Sequence, residues 1–272
     1  MSKILTIGTC QHPVYADVKR NLSLIRKQMR YASLQNADIV HFSECNLSGY
    51  AGIDFNQINR QEYSILQESV LDIRGLVANL GIWVILGSHH FEQGMKKPFN
   101  CLYLIDNKGE IVDRYDKRLL AGLHGDRDPE YYFPGKGPVV FRISGFKCGL
   151  LICHEWRYPE LYREYFKMNV DIIFQSWYDG NLSREQYETM GRELGELIPG
   201  TVRGNAASNY LWVSVSNNSR KESSFPSMMV QPDGRVLHKL HRNRAGVLIS
   251  RIDGKQVFVD PSSDNRSRII KN

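Results

Sequence analysis

Short apolar runs that alternate with amphipathic stretches constrain this chain more than any other feature. Residues 4–9, 37–42, 82–88, 147–152, 170–176 and 211–216 are brief and apolar, rich in β-branched residues and bounded by Gly or polar residues, as buried strands are. Between them, residues 18–35, 63–80, 159–168 and much of 184–209 repeat apolar side chains three or four apart, the period of a helix. Pro159 suits the first position of its helix, where no N–H is needed. Residues 101–106 and 111–115 predict a hairpin about Asn107-Lys108-Gly109, and 139–143 pairs with 147–152. A last hairpin runs from 228–230 through Pro232-Asp233-Gly234 to Val236, and 246–252 closes the sheet. Residues 119–137 read as one long loop rich in Gly, Asp and Pro, a length that tends to carry function. No repeat or linker interrupts the pattern. It predicts a single α/β domain over residues 1–272, with mixed sheets and outer helices.

Composition excludes several classes of protein. The 272 residues are 42% hydrophobic and 24% charged, ample for a core, and the net charge of +6 is spread along the chain. The basic run at 239–244 reads as a solvated turn, because no aromatic-interleaved basic stripe accompanies it; a nucleic-acid partner is not expected. No apolar segment approaches the roughly 18 residues of a membrane span, and the N-terminus lacks a signal-peptide pattern. The five cysteines are odd in number and lack a disulfide cadence, so free thiols in a reducing, cytoplasmic setting are expected.

Three residues at strand ends could carry chemistry. Cys153 closes the apolar run Gly149-Leu150-Leu151-Ile152, where α/β folds present reactive groups. A thiol there needs a base to take its proton and a cation to hold its thiolate. Glu44 follows 39–43 at another strand end, and Lys117 follows the hairpin strand in Tyr115-Asp116-Lys117. Taken singly, each has an ordinary explanation: a core cysteine such as Cys148, an exposed carboxylate, a solvating lysine. Together they supply the nucleophile, base and cation of acyl transfer.

At this point the chain resembles the nitrilase superfamily of carbon–nitrogen hydrolases. The matching segments are Ser43-Glu44-Cys45-Asn46-Leu47-Ser48-Gly49-Tyr50, Tyr115-Asp116-Lys117-Arg118-Leu119, and the run from Leu151-Ile152-Cys153-His154 to Pro159-Glu160. Cys10-Gln11, Glu130-Tyr131-Tyr132-Phe133-Pro134-Gly135 and Pro232-Asp233-Gly234 fall in family order as well, so the resemblance spans nearly the whole chain. It implies a four-layer α-β-β-α sandwich, with two mixed β-sheets between outer helices, and a Glu44–Lys117–Cys153 triad. It further implies that Glu130 positions Lys117, that the His154 N–H helps stabilise an oxyanion, and that Tyr50 and Trp177 contact substrate. No cofactor is implied, and no metal: the Cys and His residues lack zinc-site spacing, and His89 and His90 point to opposite faces of a strand. A homodimer or larger homo-oligomer is implied, with the polar tail 253–272 crossing to a partner subunit or remaining mobile.

The match departs from the pattern after the nucleophile. Amidase-like members usually carry Tyr-Asp there and nitrile-cleaving members Trp-Glu, whereas this chain has His154-Glu155. Arg157, Pro159 and Glu160 fall on the amidase and carbamoylase side, so a small amide or N-carbamoyl (ureido) substrate is expected ahead of a nitrile. Ser208 and Pro226 replace a glutamate and a glycine common in the family, which bears on packing and pocket shape. The competing readings are a nitrilase, a non-catalytic binding protein on the same fold, and a papain-like protease, for which neither the cysteine signature nor suitable His and Asn positions occur.

Overall fold

Alternation of apolar side chains along each strand sorts the residues of the structure, a computed structural model describing residues 3–58, 60–122 and 127–270, into layers. The first half runs β1 (Ile4–Gln11), α1 (Val18–Leu34), β2 (Ile39–His41), α2 (Arg60–Leu80), β3 (Trp83–His90), β4 (Phe99–Ile105), β5 (Ile111–Asp116) and a short α3 (Asp128–Tyr131). The second runs β6 (Val140–Ile143), β7 (Phe146–Ile152), a 3₁₀ turn (Cys153–Arg157), α4 (Pro159–Lys167), β8 (Ile172–Ser176), α5 (Arg184–Gln186), a π turn (Tyr187–Gly191) and α6 (Arg192–Asn209). Strands β9 (Trp212–Ser216), β10 (Met228–Val230), β11 (Val236–Lys239) and β12 (Gly246–Asp253) follow, then α7 (Ser263–Ile270).

The strands form two six-stranded sheets, ordered β12-β1-β2-β3-β4-β5 and β11-β10-β9-β8-β7-β6. Each has parallel pairs at its centre, β1–β2–β3 and β7–β8–β9, flanked by antiparallel pairs. Ile39 and Ile85 face the core shared with the second sheet, while their neighbours Val40, Val84 and Leu86 pack on Ile25, Met29, Ile73 and Val77 of α1 and α2. Tyr162, Tyr165, Ile198 and Val202 cover the second sheet from α4 and α6. This is the expected α-β-β-α sandwich. Among the described residues no helix is long and apolar enough to cross a membrane.

One expectation needs correction. The loop at 119–137 contains the short helix Asp128–Tyr131, and its residues 123–126 lie outside the described ones. Within residues 253–270, Phe258 packs edge-on against Trp212, with ring centroids 5.1 Å apart. Arg266 of α7 pairs with Asp260 at 2.6 Å and donates to the Ser208 carbonyl at 2.9 Å, near the end of α6.

A polar seam crosses the apolar core between the sheets. Ser176 Oγ donates to the Phe42 carbonyl at 2.8 Å, so it accepts from Nε2–H of His41 at 3.0 Å. Nδ1 of His41 then accepts from Ser214 Oγ at 2.9 Å, which in turn accepts from Thr9 at 2.8 Å. Burial lowers the pKa of His41 and His89 to about 3 and that of His12 to about 4. The folded protein refuses these protons while the unfolded chain accepts them, so stability falls as pH drops below about 6.5. Each histidine contributes a slope of about 1.4 kcal/mol per pH unit in that window. Asp179, raised by burial to about 6, opposes the trend between that value and the ordinary aspartate range. Calorimetry should show a net loss of stability from pH 6.5 to 5, and His41→Gln should flatten the slope by about one proton. An unchanged slope in the variant would remove His41 as its source.

Candidate functional site

Three strand ends converge because the backbone is tied at each of them. Beyond β2, the Glu44 turn packs onto Gly87 of β3, where a Cβ would lie 2.2 Å from the Ser43 carbonyl oxygen. Leu47 N–H donates to the Gly87 carbonyl at 3.0 Å, and Asn46 Oδ1 accepts from the Gly87 N–H at 2.9 Å. The Glu44 N–H reaches across to the other sheet and donates to the Trp177 carbonyl at 3.2 Å. Lys117 extends β5 by one residue: its N–H donates to the Asn100 carbonyl at 2.9 Å, and its carbonyl accepts from Gly135 N–H at 2.8 Å. Cys153 follows β7 with φ of 38°, a left-handed conformation rare for a residue with a Cβ and common at sites under functional constraint.

The side chains form a buried charge cluster. Lys117 Nζ donates to Glu44 Oε1 at 2.7 Å, to Asp128 Oδ2 at 2.7 Å and to the Tyr50 hydroxyl at 3.3 Å. Glu44 and Lys117 are 0% exposed and Asp128 1%. Asn100 adds a second donor to Glu44 Oε1 at 2.7 Å, while Glu44 Oε2 is buried with no partner among the described residues. Asp128 is held by the Ala121 N–H at 2.9 Å and by a short hydrogen bond from the Tyr50 hydroxyl.

Burial alone would deprotonate Lys117, but Asp128 and Glu44 outweigh it and hold the ammonium's pKa well above the usual range. Burial acts on Asp128 too, yet Lys117 beside it keeps that carboxyl below its ordinary value. Glu44 moves the other way: burial raises it against the pull of Lys117, and Asp128 adds to the rise. Cys153 is half-buried, unlike the fully buried Cys10, Cys45, Cys101 and Cys148, and all five are free thiols. Burial and Glu44 push the Cys153 thiol up, while Lys117 and the Tyr178 N–H pull it down; it stays a thiol until a base acts. Such a group of base, cation and nucleophile can run acyl transfer.

Not every expected contact is where the sequence reading put it. Glu130 is exposed, and the second carboxylate on Lys117 is Asp128, which the sequence reading missed. The family resemblance implied Glu130, which lies two residues from Asp128 in the segment Asp128-Pro129-Glu130. Asn100 was missed as well, and no local signal marks it. Tyr50 joins the charge cluster itself. The Trp177 ring is buried against Trp156 and Phe225, with Nε1 unpartnered among the described residues. His154 is half-buried, its protonation disfavoured by burial and by Lys117.

Known proteins share this architecture. The structure is similar to that of an amidase from Nesterenkonia sp. AN1, with a TM-score of 0.77 and 21% identity over 98% of this chain and 96% of that one. A variant of that amidase carries the acetamide moiety of fluoroacetamide covalently on its active-site cysteine. In sequence, the chain is 21% identical to N-carbamoylputrescine amidase of Solanum tuberosum over 93% of its own length and 87% of the relative's. It is 24% identical to deaminated glutathione amidase of Dictyostelium discoideum over 93% and 89%. A family model for carbon–nitrogen hydrolases matches residues 6–257, nearly the full length, and the chain therefore belongs to the carbon–nitrogen hydrolase family.

Proposed function

We propose that the protein hydrolyses the carbon–nitrogen bond of a small amide or N-carbamoyl compound through a thioester on Cys153. The observation that carries this reading is the division of labour on Glu44. One oxygen is bound by Lys117 and Asn100, and the other is buried and without a partner among the described residues, where a base needs a free lone pair. Glu44 Oε2 takes the Cys153 proton as sulfur bonds to the carbonyl carbon. The oxyanion that develops is met by Lys117, whose long hydrogen bond to Tyr50 at 3.3 Å is the easiest of its three to exchange, and by the His154 N–H. Collapse breaks the C–N bond, and Glu44 returns its proton to the departing ammonia or amine. Glu44 then takes a proton from water, which attacks the thioester and releases the acid and the thiol. Asp128, replacing Glu130 in this scheme, positions Lys117 and keeps it charged.

The amidase relatives support amides and ureido compounds ahead of nitriles. The test is ammonia or amine release from a panel of amides, ω-amides, ureido acids and nitriles, with mass spectrometry of intact protein during turnover. An acyl adduct mapped to Cys153 is expected. No turnover and no adduct across the panel would refute the reading, and a thioimidate with nitriles alone would move it to the nitrilase alternative. Five free thiols support a reducing, cytoplasmic compartment as part of the same proposal. So is assembly into homodimers, which light scattering of the purified chain decides.

A further inference from the structure

Glu155, two residues past the nucleophile, is a buried acid for which the proposed reaction has no use. Its side chain folds back under the turn that carries Cys153. Oε2 accepts from the Ile152 N–H at 2.7 Å and from the Tyr115 hydroxyl at 2.8 Å. Oε1 accepts from the Arg118 N–H at 2.7 Å and the Leu119 N–H at 3.3 Å. These donors fill the four acceptor positions of a carboxylate, and three of them are main-chain groups that cannot rotate away.

The identity of the donors matters more than their number. Ile152 immediately precedes Cys153 on the second sheet. Tyr115, Arg118 and Leu119 bracket Lys117 at the end of β5 on the first sheet. One carboxylate therefore ties the backbone on the nucleophile's N-terminal side to the backbone on both sides of the ammonium. Arg118 reinforces the joint by donating from Nε to the Tyr115 hydroxyl at 3.2 Å while pairing with Glu164 at 2.8 Å. Neither an amide nor an alkyl side chain could replace it without leaving main-chain N–H groups buried and unpaired.

We infer that Glu155 is a positioning residue that sets the relation of the Cys153 sulfur to the Lys117 ammonium across the seam between the two sheets. This rests on the proposed thioester chemistry, but its test does not require a substrate. Glu155→Gln keeps the volume and turns an N–H₂ donor toward N–H donors, so the joint should open. Alkylation of Cys153 by iodoacetamide at pH 8, followed by peptide mapping to separate it from the buried cysteines, should slow by roughly three- to ten-fold as the sulfur loses its cation. With a substrate in hand, kcat should fall roughly 10–100-fold while KM stays within about threefold, the pattern of misaligned reacting groups. Ile25→Val, a core substitution behind the first sheet, serves as the control for a loss of stability alone and should leave both rates unchanged. Should Glu155→Gln fail to fold, Tyr115→Phe removes a single donor and should slow alkylation in the same direction by a smaller factor. A folded Glu155→Gln, or in its place Tyr115→Phe, with the alkylation rate of the parent protein overturns the inference. Loss of hydrolysis across the panel with the alkylation effect intact would instead count against the proposed function.

Discussion

Replacing Cys153 by alanine is expected to lower amide turnover by at least about 10⁴-fold, because no other group at the site can form the covalent intermediate. The remaining cysteines are buried, and removing a nucleophile leaves only the assistance of binding and oxyanion contacts. The fold should tolerate the change. Cys153 is half-buried, and alanine meets the same backbone conformation at φ of 38° with the same Cβ, so the melting transition should move little. Ammonia release and intact-protein mass measured on one preparation check both halves of the expectation. Alanine retaining full turnover, or an acyl adduct persisting in its presence, would place the nucleophile elsewhere.

Lys117→Met should damage both catalysis and stability, and its loss of stability on acidification should be shallower than that of the parent protein. The ammonium lies between Glu44 and Asp128, at 2.7 Å from each, with all three groups excluded from water. Removing it leaves two carboxylates in one apolar site, and breaking a buried pair in this way costs about 3–5 kcal/mol. The variant relieves the repulsion by taking up a proton, so a folded-state carboxyl pKa rises above its unfolded value. Stability is then present at low pH and lost as pH rises through the window between the unfolded and folded values. Denaturant melts should therefore show the variant losing stability from pH 7 to 5 less steeply than the parent protein, by about 1.4 kcal/mol per pH unit, since both keep the buried neutral histidines. Turnover should fall by roughly 10²–10³-fold through loss of oxyanion stabilisation. A variant that melts in parallel with the parent across this range would mean that the cluster does not carry the charges assigned to it.

The outcome for the site depends on how local each contact is. Glu44, Lys117 and Cys153 each end an apolar run, and the end of a buried strand is visible in a linear pattern. Placing them at one end of the two sheets follows from strand order, which periodicity does not supply and the structure does. The acid on Lys117 shows the limit. Asp128 opens a helical turn and Glu130 lies two residues on, about 200° around the axis, so only one of them can face the cluster. Which one depends on the Ala121 N–H and the Tyr50 hydroxyl, the latter 78 positions away in the chain.

Hydrophobic period alone determined the main strands and helices and three strand-end residues, because these are properties of neighbouring residues, while the four layers came from the family resemblance. Tertiary structure decided what those residues touch: Asp128 rather than Glu130 on the ammonium, Asn100 on Glu44, and Glu155 turned under the nucleophile to grip the opposite sheet. Each of these contacts joins segments brought together only when the two sheets pack, and hydrogen bonds of about 3 Å are satisfied or lost over displacements that no residue pattern encodes.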